Sequence, residues 1–132
     1  MKSEVNAECR MQNAELKPLV KNAVMKTLEY LEFYKPCEVS VSFVNIEEMQ
    51  ELNKKYRDLD EPTDVLSFPQ EDWNAEIVQL GDIVICEELC ENVTLLIVHS
   101  MLHLFGYDHH DGTNTMFDMQ DKIMEVLNAK TN

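Results

Sequence analysis

The stretch ENVTLLIVHSMLHLF, residues 91–105, carries apolar side chains on almost every side of the helix that it predicts, from about Cys90 or Glu91 to Phe105. A helix of that kind is stable only when other elements cover it all round. The rest of the chain is therefore expected to wrap it, and 132 residues are enough for one such core and too few for two ordinary domains. The working expectation is a single domain over residues 1–132.

The covering elements can be read from periodicity. Leu16, Leu19, Val20, Ala23, Val24, Leu28 and Leu31 recur three and four apart, which predicts an amphipathic helix over 15 to about 34 with Pro18 in its first turn. CEVSVSF alternates Val39, Val41 and Phe43 with polar neighbours and predicts a half-buried strand. Asn45 followed by Glu48 resembles a capping box, and Ile46, Met49, Leu52 and Tyr56 then mark one face of a helix ending near Arg57. VLSF, closed by Pro69, predicts a short strand, residues 70–76 an irregular link, and GDIVIC (81–86) a strand covered on both faces. Met116, Met119, Ile123, Met124 and Val126 or Leu127 mark a last amphipathic helix. The predicted order is helix, strand, helix, strand, strand, helix, helix: mixed α and β in one layered domain.

The N-terminal residues, MKSEVNAECRMQNAELK, lack the apolar stretch of a signal peptide. The longest apolar run, Leu95 to Val98, is far short of the roughly 20 residues of a membrane span, so the expectation is a cytosolic protein with no membrane partner. Cys9, Cys37, Cys86 and Cys90 are few and scattered, which predicts buried reduced thiols and not a disulfide scaffold. The net charge of −14 speaks against a uniformly basic nucleic-acid-binding surface. One dense basic cluster stands out, Lys54, Lys55 and Arg57 in NKKYR; by itself such a cluster is more often a solvated helix end than a phosphate-binding patch.

All four histidines fall within VHSMLHLFGYDHHD, residues 98–111. His99 and His103, four apart on a helix, differ by about 40° and project from one face. Were the helix to continue, His109 would lie about 240° round from His103. Gly106 intervenes, the residue type most able to end a helix in a left-handed turn and to carry His109 back. Three imidazoles suit one zinc ion with its fourth position open to water, whose pKa such an ion lowers from 15.7 toward about 7. Imidazole also suits other divalent transition metals. His110 is expected to point away, and Asp108 and Asp111 fit either orientation of a ligating ring or an exposed turn.

The spacing matches zinc peptidases with HExxHxxGxxH, but their general base is the glutamate after the first histidine, and this chain has Ser100 there. Serine cannot do that work at neutral pH, which speaks against a metalloprotease. The run HSMLHLFGYDH (99–109), with YRDLDEPTDVLSFP (56–69) and LGDIVIC (80–86) upstream, resembles the YbeY family of metal-dependent endoribonucleases in three blocks and in the family's order. The resemblance implies an α+β fold with a central mixed β-sheet of about four strands flanked by helices. It also implies a zinc site at His99, His103 and His109 and a functional arginine at Arg57. The implied substrate is single-stranded RNA, including the 3′ end of small-subunit ribosomal RNA, with roles in ribosome quality control. Two departures stand out: Ser100 replaces the family's usual glycine, and only twelve residues, Glu87 to Val98, separate GDIVIC from His99, where the family commonly has room for a further helix.

Phosphodiester hydrolysis needs an in-line nucleophile and positive charge for the anionic transition state. The metal would supply the first and part of the second. Arg57 is the candidate for the rest, because a guanidinium stays charged and grips two phosphate oxygens at once; from its position alone a salt bridge to one of the 25 acidic residues is the better reading, and the family resemblance reverses that order. Lys54 and Lys55 are the candidates to follow the RNA backbone. Asp64 and Ser67 are described adequately as a turn cap and a strand residue. The alternative of another class is a non-catalytic ribosome-assembly factor whose metal braces a surface for ribosomal proteins or the small subunit.

Overall fold

In a computed structural model, which describes residues 4–108 and 114–129 apart from the side chain of Glu71, the apolar helix is enclosed as its composition demands. The elements are β1 (Ala7–Arg10), α1 (Lys17–Tyr30), β2 (Cys37–Val44), α2 (Ile46–Arg57), β3 (Val65–Asp72), β4 (Val78–Cys86), α3 (Val93–Leu104) and α4 (Thr115–Ala129). The four strands form one sheet in the order β1-β2-β4-β3; β1, β2 and β4 run parallel, and β3 runs antiparallel to β4. This is the expected α+β arrangement, a mixed sheet flanked by helices.

Helix α3 packs against α1, α4, β3 and β4, with Ile97, Val98, Met101, Leu102 and Leu104 buried. On that face of the sheet Val39, Val41, Leu80, Ile83 and Ile85 complete the main core. On the other face α2 covers a smaller cluster of Met49, Leu66 and Cys86, flanked by Phe68 and Val84. Strand β4 thus lies between β2 and β3 with both faces covered, which is why it is apolar almost continuously.

Several expectations need correction at their edges. Helix α1 is shorter than 15–34, because Glu32 takes a left-handed conformation (φ 54°) just beyond its end, and Leu19 lies outside the buried stripe. Strand β1 was hidden in a polar sequence; it is an edge strand of four residues, and within it only Cys9 is buried. Strand β3 continues through Pro69 to Asp72 where an irregular link is expected. Proline is tolerated there because β3 is the opposite edge, needing ladder bonds on one side only. The β2–β4 register shifts between Glu38 and Val39, which pair with Gln79 and Gly81, so that Leu80 is an extra residue. Such a bulge suits Gly81, whose φ of +138° a side chain rarely adopts.

The segment before the histidines is short in the fold too: one 3-10 turn, Glu87–Leu89, precedes Asn92, which caps α3 by accepting from the Leu95 N–H at 3.1 Å. Cys9, Cys37 and Cys86 are buried and Cys90 half-buried, all as free thiols. Among the described residues, no helix is long and apolar enough to cross a membrane.

Candidate functional site

The two helical histidines meet. His99 and His103 rings cross at 81° with centroids 4.6 Å apart, and their Nε2 atoms lie 3.1 Å from each other. Two nitrogens bound to one tetrahedral zinc at about 2.0–2.1 Å would be about 3.3–3.4 Å apart. The pair is therefore already within a few tenths of an ångström of a chelating separation. Both rings are half-buried on a helix fixed by its own core contacts, so little order remains to be imposed.

A third side chain orients one ring of the pair. Gln120, on α4, places Oε1 2.8 Å from His99 Nδ1. A carbonyl oxygen only accepts, so Nδ1 carries the proton and Nε2 presents its lone pair. His99 Nε2 and His103 Nε2 lie within hydrogen-bonding distance of each other. Gln120 is not legible in the sequence: an amide is not an expected ligand, and only the packing of α3 on α4 brings it near.

The turn after the pair follows from Gly106. Its φ is +91°, its N–H donates to the His103 carbonyl at 2.9 Å, and the Tyr107 N–H donates to the Leu102 carbonyl at 3.1 Å. These two bonds close a Schellman cap. Phe105 is held from outside by Phe33 and Trp73, with centroids 5.1 and 5.2 Å away. The expected helix stop is thus present, whereas His109, His110 and Asp111 lie outside the described residues. Among the described residues no cluster of three or more His, Cys, Asp or Glu forms a metal cage, so the chelate rests on the two helical rings there.

Arg57 ends α2, and its Nη2 donates to the Ser67 carbonyl at 2.9 Å while its guanidinium lies 5.6 Å from the Phe68 ring centroid. Among the described residues it makes no ion pair, in contrast to the salt bridge that its sequence position alone favoured. Lys54 Nζ is 3.9 Å from Asp60, and Lys55 Nζ sits 5.1 Å from the Tyr56 ring centroid. The chain leaves α2 through Asp58 in the left-handed region, and buried Asn53 donates to the Glu61 carbonyl at 2.8 Å, tying down the loop beyond. Asp64 and Ser67 contribute backbone carbonyls, to Cys86 N–H and to Arg57 respectively.

Strand β3 connects the basic end of α2 with the histidine helix. The Phe68 carbonyl faces Gly81 in β4, so the carbonyl of Ser67, one residue earlier, faces the open edge, and it is this edge that Arg57 occupies. Leu104, next to His103, reaches the same glycine from above: a Cβ on Gly81 would lie 3.0 Å from Leu104 Cδ2 and 3.0 Å from Pro69 Cα. The arginine and the histidine helix are thus both fixed to the stretch Ser67–Pro69.

Comparison with known proteins fits this arrangement. The family described as Endoribonuclease YbeY matches residues 2–128. A Caldanaerobacter subterraneus subsp. tengcongensis protein of that description is 38% identical over 151 aligned positions, covering 95% of this chain and 96% of the relative. One from Clostridioides difficile is 40% identical over 131 positions, covering 86% and 85%. The first alignment is longer than the 132 residues here, so that relative carries residues this chain does without. Among solved structures, a Thermotoga maritima protein determined in solution matches with a TM-score of 0.56 at 27% identity, covering 90% of this chain and 87% of that one.

Proposed function

Because this chain belongs to the YbeY endoribonuclease family, we propose that it is a cytosolic hydrolase that cuts phosphodiester bonds within single-stranded RNA, with ribosomal RNA as the substrate and ribosome maturation and quality control as the setting. The observation that carries the reading is the approach of His99 Nε2 and His103 Nε2 to 3.1 Å, a ready chelate for a divalent ion that His109 would complete. Zinc is the ion that three imidazoles suit best, and when bound it supplies Lewis acidity that acidifies water and offsets phosphoryl charge.

The protein's own groups do the rest. Gln120 holds His99 in the tautomer whose lone pair faces inward. The Ser67 carbonyl takes one of the five N–H donors of Arg57, and the guanidinium keeps enough of its fork to grip two oxygens of one phosphate. A guanidinium is a delocalised cation, suited to stabilising a developing phosphorane or metaphosphate charge. Lys54 and Lys55 extend the positive surface along the strand. Ribosomal proteins or the small subunit are the further partners that this role would bring.

The test is cleavage of an end-labelled single-stranded RNA beside its matched duplex. The parent protein should cut only the single strand, and Arg57→Ala should keep fold and bound metal but lose about 100-fold or more in rate. An Arg57→Ala variant that cuts at the parental rate removes the arginine from the mechanism. A pure parent protein that cuts nothing, yet still associates with the small subunit, points to an assembly factor instead.

A further inference from the structure

Tyr56 does not behave as its sequence pattern requires. Spacing puts it with Ile46, Met49 and Leu52 on the buried face of α2, yet it is 52% exposed while its neighbour Asn53 is buried at 4%. The ring is not loose, however. It meets Phe68 edge to face, with centroids 5.2 Å apart at 67°, and Phe68 is itself packed on the Met49, Leu66 and Cys86 cluster. Cations flank it on both sides along the chain, Lys55 5.1 Å from its centroid and Arg57 over the adjoining Phe68 ring. In a chain of net charge −14, this is, among the described residues, the place where an exposed aromatic face held by a second ring coincides with a dense basic cluster.

We propose that Tyr56 is a stacking platform for a nucleobase of single-stranded RNA, set beside Arg57 so that the base is held while the guanidinium grips a neighbouring phosphate. The proposal rests on the single-stranded RNA reading above and deepens it. Every base has a π face, so such a platform tolerates any sequence. A base inside a duplex is already stacked on both sides and cannot use it, which gives a physical source for single-strand selectivity that phosphate contacts alone do not provide. An aromatic anchor for a protein partner would also be exposed, but its energy comes from a desolvated apolar surround. Here two cations, Lys55 and Arg57, lie against the Tyr56 and Phe68 rings, which suits a polyanion.

The experiment measures binding of a fluorescent single-stranded RNA oligomer by anisotropy, before cleavage proceeds, for the parent, Tyr56→Ala, Tyr56→Phe and Tyr56→Leu. Loss of one stacked base weakens binding by about 5-fold to 150-fold, so Tyr56→Ala should fall in that range and Tyr56→Phe should stay within about 2-fold of the parent. Tyr56→Leu keeps apolar contact with Phe68 but has no π face; it should bind as weakly as alanine, which separates stacking from loosening of the helix end. Oligomers each carrying one abasic nucleotide complete the test: at one position the parent should drop to the level of Tyr56→Ala. Parental binding by Tyr56→Ala, or a deficit that persists equally at every abasic position, overturns the platform while leaving the nuclease reading intact. Tyr56→Leu or Tyr56→Ala losing a protein partner with unchanged RNA affinity overturns it in favour of a protein-docking role. A parent that neither binds nor cuts single-stranded RNA overturns both.

Discussion

Gly81→Ala tests whether one close approach holds the basic and histidine ends of the site together. The new Cβ would fall on the Phe68 carbonyl oxygen and within 3.0 Å of both Leu104 Cδ2 and Pro69 Cα. Leucine can swing aside, but the carbonyl belongs to the β3 ladder and can move only if the strand moves. Holding a non-glycine residue at a φ of +138° costs of order 1–3 kcal/mol. Overpacking against strand and helix adds about 1–3 kcal/mol. A loss of about 4 kcal/mol is therefore expected, a fall of very roughly 10–20 °C in Tm for a chain of this size. Urea unfolding followed by circular dichroism measures it. Because β3 carries the Ser67 carbonyl that anchors Arg57, the fraction still folded should also cut RNA more slowly than the parent. A variant within 1 kcal/mol of the parent, with unchanged unfolding slope, would refute the close-approach argument.

Other consequences follow from single contacts. Gln120→Leu removes the acceptor that fixes His99, and zinc affinity should fall about 10–100-fold in a chelator competition; an unchanged affinity would mean that the amide does not set the tautomer. Ser100 Oγ is buried without a hydrogen-bond partner among the described residues, so Ser100→Ala should raise stability by about 1 kcal/mol; a loss instead would show that the hydroxyl is satisfied. Burial pushes the Cys37 thiol from 9.0 up to about 11, with Glu38 adding to the rise. Between those values the unfolded chain has released a proton that the folded chain keeps, so this contribution to stability is complete below pH 9 and is lost as pH rises toward 11. The urea midpoint should fall across that interval, and less steeply in Cys37→Ala; identical slopes would remove Cys37 as a cause.

What could be read in the sequence was whatever depends on local periodicity and local caps. Helix α2 matches its expected limits because Asn45 and Glu48 form a reciprocal cap and basic residues fill its last turn. The buried character of α3 and the stop at Gly106 were legible for the same reason: a helix apolar all round has one kind of environment, and glycine one kind of advantage. Strand β1 was not legible, since an edge strand with one buried residue has no alternation to display. The run of β3 past Pro69 was hidden because proline signals an end unless the strand is known to be at an edge, which is a property of the sheet. Gln120 and Tyr56 were missed on opposite grounds, one through a contact between helices distant in sequence, the other because a helical stripe does not say where the covering layer stops. The family blocks located Arg57, but only the fold shows that it is held by the edge of β3.

The most direct test of the central claim is the metal content of the protein, purified and dialysed without chelator and measured by plasma mass spectrometry beside His99→Ala and His103→Ala. A paired chelate at 3.1 Å predicts about one divalent ion, zinc foremost, per parent chain and well under half of that in either variant. A parent that holds none after incubation with zinc, or variants that keep the parental amount, would contradict the metal centre and with it the proposed role of the histidine helix.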